Sequence, residues 1–293
     1  MPSLRNHHSA QFTKAILAGD SGTGKTGAVA SLAEAGFNVR VLDFDNGMDI
    51  LFNYLKNSTA APIDGIAPLD RVEYITITDK FKNIGGKAVP MDSTVWPRAI
   101  KYLEKWSNAG ETIKGIKDGK PANIPIPEDQ KFDLGDPSAW GPDCILVLDS
   151  FTFLNNGALR YILKLNNRPA GPVWESDWNE AQQLVEALLG MLYSEQFQTN
   201  VLVIAHVAHL TQKDGTPIGS YPAALGKALP PKIGRYFNTM LEIKRVGTGA
   251  SAARTIHTVP QGPLQLKNPN PTKIKPSYDI KTGLADIFKA LRG

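Results

Sequence analysis

The chain has 293 residues, of which 42% are hydrophobic and 20% charged, a composition typical of a soluble globular protein. Its 26 glycines and 21 prolines stay well below the share that marks disordered or collagen-like chains. No apolar run approaches the ~20 residues that cross a bilayer, and the first eleven residues lack the apolar segment of a secretory signal. The single cysteine, Cys144, excludes an internal disulfide and a cysteine-based zinc site, so we expect a cytoplasmic protein without a membrane partner.

Positive charge is concentrated toward the end of the chain. The formal net charge is +4, but residues 207–293 hold thirteen Lys or Arg against four Asp or Glu, a local charge of +9. Residues 1–206 therefore carry −5. A basic part of this kind favours a polyanionic partner, and a solvated basic surface is the alternative.

The first part of the chain predicts strands and helices in alternation, from the spacing of its apolar and β-branched residues. The expected strands are 13–18, 38–45 and 71–78, and the expected helices are 25–35 and 93–106. We expect Gly36 to end the first helix in a left-handed conformation and Ser93 to cap the second.

The rest of the chain continues the alternation after an interruption. Residues 107–142 carry ten glycines or prolines and no sustained period, which we interpret as an insertion or long excursion. Polar, glycine-rich residues 207–226 predict a loop. Further strands are expected at 144–149, 201–205, 239–244 and 254–259, and helices at 177–194 and 284–291. The pattern predicts a single α/β domain over 1–293, with a mainly parallel sheet covered by helices on both faces.

The strongest motif lies between the first strand and the first helix. It fits the phosphate loop GxxxxGK[ST], and the residues expected to bind nucleotide are Gly19, Asp20, Ser21, Gly22, Thr23, Gly24, Lys25, Thr26 and Gly27. Glycines let the backbone wrap around phosphates and aim its N–H groups at them. Lys25 is expected to reach the β- and γ-phosphates of ATP, and Thr26 to bind Mg²⁺. A glycine-rich turn that only caps a helix is the alternative.

Three polar residues end predicted core strands, at the edge where ligands bind in parallel sheets. Asp149 is expected to be the acid beside the metal ion, and Asp45 to orient and polarise the attacking water. Asp43 shares the face of Asp45, two positions earlier. His206 is a candidate sensor of the γ-phosphate. The alternatives are a helix cap at Asp149, a turn residue at Asp45 and a structural histidine at 206.

In this order the motifs resemble the ATPase core of the RecA-like recombinases, and more closely the small phage-encoded RecA-like annealing ATPases. GDSGTGKT matches the phosphate loop, LDFDNG is similar to the strand that ends in the catalytic glutamate, and LVLDS resembles the Walker B strand. VLVIAH matches the strand that carries a γ-phosphate-sensing glutamine. SYPAALGKALPPKIGRYFNTMLEI is similar to the end of the DNA-binding loop and the elements beyond it. RTIHTVPQGPLQLKN resembles the strand pair whose Lys-Asn turn reaches a neighbouring subunit.

The resemblance covers roughly residues 13–270 and implies a RecA-like P-loop fold with particular site residues. Asp45 stands where the family has glutamate, and His206 stands where it has glutamine. Lys267, in the Lys-Asn turn, is implied to act at the ATP of the next subunit, and an exposed surface lysine is the alternative. Residues 107–142 have no counterpart in the family.

These features predict an ATPase, with ATP and Mg²⁺, that binds single-stranded DNA and promotes annealing or recombination for a phage in the host cytoplasm. DNA is expected along 207–226, with phosphates held by Lys213, Lys227, Lys232 or Arg235 and a base stacked on Tyr221. Ordinary packing is the alternative for Tyr221. A homo-oligomer with ATP between subunits is expected, and a single-strand-binding protein is a further candidate partner. The competing functions are a small-molecule kinase, a helicase or packaging motor, and a non-hydrolysing ATP switch.

Overall fold

The computed structural model describes residues 11–117, 120–249 and 252–292. Residues 1–10, which hold nearly all of the stretch predicted to lack a secretory signal, lie outside the described part. Within the described ranges, none of the helices combines the length and the apolar character that crossing a membrane requires.

Eight strands of the described chain form one central sheet, and six others pair as three antiparallel hairpins. In chain order the strands are β1 (Lys14–Ala18), β2 (Asn38–Asp43), β3 (Val72–Thr76), β4 (Lys80–Ile84), β5 (Lys87–Asp92), β6 (Thr112–Lys117), β7 (Lys120–Pro125), β8 (Gly141–Asp149), β9 (Thr199–Ala205), β10 (Val207–Thr211), β11 (Pro217–Pro222), β12 (Thr239–Val246), β13 (Ala253–His257) and β14 (Ser277–Asp279). The central sheet has the order β14-β13-β12-β1-β9-β8-β2-β3. The six strands from β12 to β3 are parallel. Strand β13 pairs antiparallel with β12, and β14 pairs antiparallel with β13.

Helices cover both faces of this sheet. They are α1 (Lys25–Ala28), α2 (Ala30–Glu34), α3 (Met48–Lys56), α4 (Val95–Glu104), α5 (Phe151–Leu165), α6 (Glu175–Tyr193), α7 (Pro230–Ile233) and α8 (Gly283–Leu291). One hydrophobic cluster packs α4 to α7 against the sheet, and a second cluster packs α1 to α3 and α8 against the opposite face. The predicted α/β class, with a mainly parallel sheet between layers of helices, is confirmed.

The central position of β8 in the sheet explains why its residues 144–148 form one continuous apolar run. Ile145 and Val147 face the second cluster, whereas Leu146 and Leu148 face the first, and all four side chains are fully buried. A strand covered on both sides has no solvated face that would require alternating polar residues. Each such side chain contributes about 1.5–3 kcal/mol relative to an exposed one.

The register of the parallel strands brings their carboxyl ends to one edge of the sheet. Ala18 at the end of β1 pairs with Ala205 at the end of β9. Asp43 at the end of β2 pairs with Asp149 at the end of β8. The loops that follow these four strands therefore converge at the edge where ligands bind in such sheets.

Two of the predicted helices differ from the structure in their first turns. The helix expected at 25–35 is divided into α1 and α2 by a turn at Val29. The expected cap at Ser93 is wrong, because Thr94 occupies the N-cap position of α4. The carboxylate of Asp79 instead accepts the backbone N–H groups of Thr94 at 3.0 Å and of Val95 at 3.3 Å.

The prediction of a loop at 207–226 is wrong over most of that range, because β10 and β11 form an antiparallel hairpin there. The strands pair from Val207 with Pro222 to Thr211 with Pro217. The chain reverses at Gly215, whose φ of +86° is in the left-handed region that glycine adopts without strain. Backbone groups expected to face water are thus bonded to one another.

The structure also contains elements that the sequence patterns did not predict: α3, α5 and the hairpins β4–β5 and β6–β7. In α5, Gly157 permits close contact with α4, since an added Cβ would lie 2.6 Å from Cγ1 of Val95. The hairpin β6–β7 lies within 107–142, and the end of that segment is anchored by Trp140. Its Nε1 donates to the carbonyl oxygen of Leu134 at 2.7 Å, and its ring lies 5.3 Å from that of Trp106.

Candidate active site

The loop between β1 and α1 has the backbone conformation that its glycines permit. Gly22 and Gly24 have φ values of +74° and +97°, which residues other than glycine rarely adopt. A Cβ at Gly24 would also lie 2.8 Å from Cδ1 of Ile280. The N–H of Gly19 donates to the carbonyl oxygen of Ala205 at 3.2 Å, which ties the start of the loop to the end of β9.

Lys25 is buried, and its ammonium group lies against the loop. Its Nζ donates to the carbonyl oxygens of Gly19 at 2.9 Å and Asp20 at 2.7 Å. Burial lowers the pKa of Lys25, and the carboxylates of Asp149, Asp20 and Asp45 oppose that shift. The cation therefore lies inside the loop, close to the carboxylates at the ends of β8 and β2.

Thr26 and Asp149 meet directly. The hydroxyl of Thr26 donates to Oδ2 of Asp149 at 2.6 Å, and Asp149 is only 2% exposed. Burial raises the pKa of Asp149 to about 7, and the bond from Thr26 opposes the shift. A hydroxyl and a carboxylate side by side are the oxygen donors that Mg²⁺ prefers, with phosphate oxygens and water completing the shell. The residues present fit a magnesium ion bound together with a nucleotide.

The two aspartates after β2 have different surroundings. Asp43 is fully buried and accepts hydrogen bonds from Oγ1 of Thr76 at 2.8 Å and the N–H of Gly47 at 3.1 Å. Asp45 lines the cavity beside Lys25. Partial burial and the adjacent Asp43 raise the pKa of Asp45, and the Lys25 ammonium opposes the shift. Asp43 therefore stabilises the turn, whereas Asp45 faces the space next to the loop.

His206 follows β9 and also lines the cavity. Its backbone N–H donates to Oγ1 of Thr152 at 3.2 Å, and its carbonyl oxygen accepts the N–H of Ala223 at 2.7 Å. Burial and the nearby Lys25 lower the pKa of the imidazole, so the ring is neutral at pH 7. The backbone of His206 thus closes the base of the hairpin β10–β11, and its side chain borders the phosphate loop.

These side chains surround a cavity of about 360 Å³. Its lining includes Ser150 and Arg254, two hydrogen-bond donors that sequence reasoning missed. Oγ of Ser150 and Nε of Arg254 are buried without a hydrogen-bond partner in the described part of the chain. Unpaired donors of this kind, beside a phosphate loop, fit an anionic ligand.

Arg254 reaches the loop because of strand register. It lies on β13 opposite Arg245, three residues beyond the level at which Glu242 pairs with Ala18 of β1. Its Cδ would lie 3.0 Å from a Cβ at Gly24. The sequence shows that Arg254 lies in a predicted strand. Placing it near the phosphate loop also requires the strand order, in which β13 lies two strands from β1.

A larger cavity of about 820 Å³ adjoins the first and shares three residues with it, Gly27, Ile50 and Tyr54. Gly27 lies under the ring of Tyr54, since an added Cβ would approach the ring to 2.9 Å. Ile50 and Tyr54 belong to α3, which the sequence patterns did not predict. The two cavities form a continuous groove that runs from the phosphate loop along α1.

Lys267 lies apart from this cavity within one chain. It bridges to Met240 near the start of β12, with backbone bonds of 2.9 and 3.2 Å. Its Nζ donates to the carbonyl oxygens of Gly234 and Phe237. The side chain therefore contacts backbone carbonyl oxygens of its own chain, and Lys267 remains exposed.

The predicted DNA-binding residues lie in two groups. Lys213 is at the exposed turn of the hairpin β10–β11, and Tyr221 is half-buried on β11, across Gly219. Lys227, Lys232 and Arg235 lie before, in and after α7. Of these, Lys232 approaches Oε1 of Glu186 at 3.4 Å, so part of its charge is compensated within the chain.

A phosphate loop between β1 and α1, with acidic residues after β2 and at the end of β8, defines the class of P-loop nucleoside triphosphatases. The model of one family, described as an AAA domain, matches residues 11–269, and the chain belongs to that family. The protein is a P-loop ATPase of the AAA type.

Two solved structures are similar to the chain at low sequence identity. No protein of curated function matches the chain in sequence. The crystal structure of the RadB recombinase is similar, at 13% identity and a TM-score of 0.39 over 84% of this chain and 79% of that one. The flagellar accessory protein FlaH from Methanocaldococcus jannaschii is similar at 10% identity and a TM-score of 0.40, over 92% of this chain and 87% of its own.

Proposed function

We propose that the protein binds and hydrolyses ATP in order to control its hold on single-stranded DNA, and that it promotes annealing or recombination of complementary strands. One observation carries the proposal. The hairpin β10–β11 begins at the residue after His206, and the side chain of His206 borders the phosphate-loop cavity. A change at the γ-phosphate of ATP can therefore reach the hairpin through a single residue.

In this proposal the ATP phosphates lie over the glycines of the loop, where backbone N–H groups and the end of α1 favour negative charge. Lys25 neutralises the β- and γ-phosphates, and Arg254 donates to a phosphate oxygen from the other side. Thr26 and Asp149 hold Mg²⁺, which supplies charge neutralisation during phosphoryl transfer. The donor and acceptor inventory of the cavity matches each of these partners.

Asp45 orients and polarises the attacking water. It lines the cavity, whereas Asp43 is held by its hydrogen bonds to Thr76 and Gly47. The pKa of Asp45 is raised, which makes this carboxylate a stronger base than an ordinary aspartate. Aspartate is one methylene shorter than the glutamate of the RecA-like family, so the water lies nearer to the end of β2.

The groove beside α1 holds the nucleoside. Its volume of about 820 Å³ suits a purine nucleoside, and Tyr54 offers an exposed aromatic ring at the junction with the phosphate cavity. Stacking on this ring positions the base, and the small Gly27 beneath it keeps the ring close to α1.

DNA lies on the hairpin β10–β11 and near α7. Lys213, Lys227, Lys232 and Arg235 contact phosphates, and Tyr221 stacks on a base. His206 senses the γ-phosphate with its neutral ring and transmits the change through its bond to Ala223, at the other base of the hairpin. DNA affinity and hydrolysis are thereby coupled.

The active protein is a homo-oligomer, a ring or a filament, in which Lys267 completes the site of the next subunit. An ammonium there stabilises charge on the γ-phosphoryl oxygens, as an arginine finger does. The resemblance to phage-encoded annealing ATPases supports a phage origin, a role in the host cytoplasm and cooperation with a single-strand-binding protein.

The proposal is tested with a labelled oligo-dT strand and fluorescence anisotropy. We expect affinity to change when a non-hydrolysable ATP analogue and Mg²⁺ are added, and the change to vanish in Lys25→Ala. Annealing of two complementary strands should accelerate under the same conditions. Nucleotide-independent affinity, or an absence of single-strand binding, would overturn the proposed function.

A further inference from the structure

Positive charge is concentrated on two hairpins outside the region expected to bind DNA. Residues 80–92 and 112–125, which form β4–β5 and β6–β7, contain six lysines and two aspartates, a local charge of +4. This equals the net charge of the whole chain, although residues 1–206 together carry −5. The separate charge totals of residues 1–206 and 207–293 therefore do not reveal this basic patch.

A polar cleft of about 350 Å³ has residues of both hairpins, Lys80 and Thr112, in its lining. Its cations are Lys80 and Arg98, and threonines at 78, 94 and 112 supply hydroxyl groups. Its one acid, Glu111, is bonded to Nζ of Lys101 at 2.7 Å and to the hydroxyl of Tyr102 at 2.8 Å. Cations with hydroxyl donors are the groups that hold phosphate oxygens in nucleic-acid complexes.

The hairpins also present exposed apolar groups among their lysines. Phe81, between Lys80 and Lys82 in β4, is 55% exposed, and Ile116 in β6 is 76% exposed. Neither Lys82 nor Lys114 forms an ion pair with a residue that the structure describes. An exposed aromatic ring among unpaired lysines is the combination by which sequence-independent sites hold single-stranded nucleic acid.

The hairpin β4–β5 lies on the same edge of the sheet as the hairpin β10–β11, and β6–β7 shares the polar cleft with β4–β5. β4 follows the carboxyl end of β3, and β10 follows the carboxyl end of β9, with β8 and β2 between them in the sheet. Three strand spacings amount to about 14 Å. After each hairpin the chain returns to the same helical layer, since Val95 and Leu225 belong to one cluster. An extended strand of DNA that crosses this edge meets both positions.

We propose that β4–β5 and β6–β7 form a second contact surface for single-stranded DNA, which continues the path that begins on β10–β11. Lysines of the two hairpins contact the phosphates, and Phe81 stacks on a base. This inference rests on the proposed function, and it adds a surface that neither the phosphate loop nor the family resemblance implies.

The test compares two double variants of equal charge change. Lys82→Glu with Lys114→Glu alters the hairpins, whereas Lys273→Glu with Lys289→Glu alters exposed lysines beside the second cluster, on the other face of the sheet. Affinity for labelled oligo-dT is measured over a range of salt concentrations, and thermal unfolding confirms that each variant is folded. We expect the hairpin variant to bind at least about tenfold more weakly and to lose about 1.4 from its salt slope, equivalent to two phosphate contacts.

A third variant separates stacking from charge. Phe81→Ala should weaken binding while leaving the salt slope unchanged, because no cation is removed. Equal losses in the two double variants, or wild-type affinity in the hairpin variant, would overturn the second surface while wild-type binding upholds the proposed function. If the wild-type protein binds no single-stranded DNA, both proposals fail.

Discussion

The hydroxyl of Thr26 donates a 2.6 Å hydrogen bond to Oδ2 of Asp149, a residue 123 positions away. The bond joins the first turn of α1 to the end of β8, although β9 lies between β1 and β8 in the sheet. It brings the hydroxyl of the phosphate loop and the acid at the end of β8 to one point. Nucleotide chemistry in this protein is built around that point, with Lys25, Asp45, His206 and Arg254 on its borders.

We expect Lys25→Ala to lose most of its affinity for ATP and its hydrolytic activity, because Lys25 is the cation held inside the phosphate loop. Lys56→Ala, which removes an exposed lysine of α3, is the matched control. Nucleotide affinity is measured by titration calorimetry. Wild-type affinity and turnover in Lys25→Ala would show that the loop does not bind phosphates.

Asp45→Asn is expected to bind ATP but to turn it over ~10²-fold or more slowly, the scale of a general-base contribution. Asp45→Glu restores a carboxylate and should recover part of the rate. The measurement is the steady-state rate of phosphate release. An unimpaired Asp45→Asn would move the role to another carboxylate near the loop.

Arg254→Ala should weaken ATP binding by roughly 10- to 100-fold, as for the loss of one charge-assisted hydrogen bond of about 1.5–3 kcal/mol. Arg245→Ala is the matched control, because Arg245 lies opposite on β12 and is exposed. Both affinities are obtained from the same fluorescent-nucleotide titration. Equal affinities of the two variants would exclude a phosphate contact by Arg254.

The buried Asp149 predicts a dependence of stability on pH when neither nucleotide nor Mg²⁺ is added. Its pKa is raised to about 7 in the folded protein, so the folded state keeps a proton that the unfolded state releases near its ordinary pKa of 3.8. The free energy of unfolding should therefore fall as the pH rises between these values, by up to about 4 kcal/mol. Urea unfolding of Asp149→Asn should lack this component, and an identical pH profile in wild type and variant would contradict the assignment.

Lys267→Ala and Lys25→Ala are each expected to be nearly inactive alone and to recover part of the DNA-stimulated ATPase when mixed. Mixed oligomers contain some interfaces that pair an intact phosphate loop with an intact Lys267. Full activity of Lys267→Ala by itself would eliminate a role in trans. Because Lys267 also bonds to carbonyl oxygens at Gly234 and Phe237, thermal unfolding of the variant distinguishes lost stability from lost chemistry.

Local sequence patterns predicted the parallel core and most of the phosphate site. The strands that end at Ala18, Asp149 and Ala205 are continuous apolar runs, and such runs identify buried strands without any knowledge of their neighbours. The phosphate loop is likewise contiguous in sequence. Its conformation follows from glycines that tolerate positive φ.

The elements and site residues that the sequence did not predict depend on contacts between distant parts of the chain. α5 contains Asn155 and Gly157, which weaken a helical pattern, and its stability comes from packing against α4 and α6. Arg254 enters the site only through the pairing of β12 with β13. The hairpin β10–β11 has a polar, glycine-rich sequence, and its strands are stabilised by pairing with each other.

The rate of ATP hydrolysis with and without single-stranded DNA tests the central claim most directly, namely that the nucleotide site and the hairpin β10–β11 act as one unit through His206. The account predicts a rate that rises on addition of oligo-dT and a much smaller rise in His206→Ala. A rate that is the same with and without DNA in the wild-type protein would contradict it.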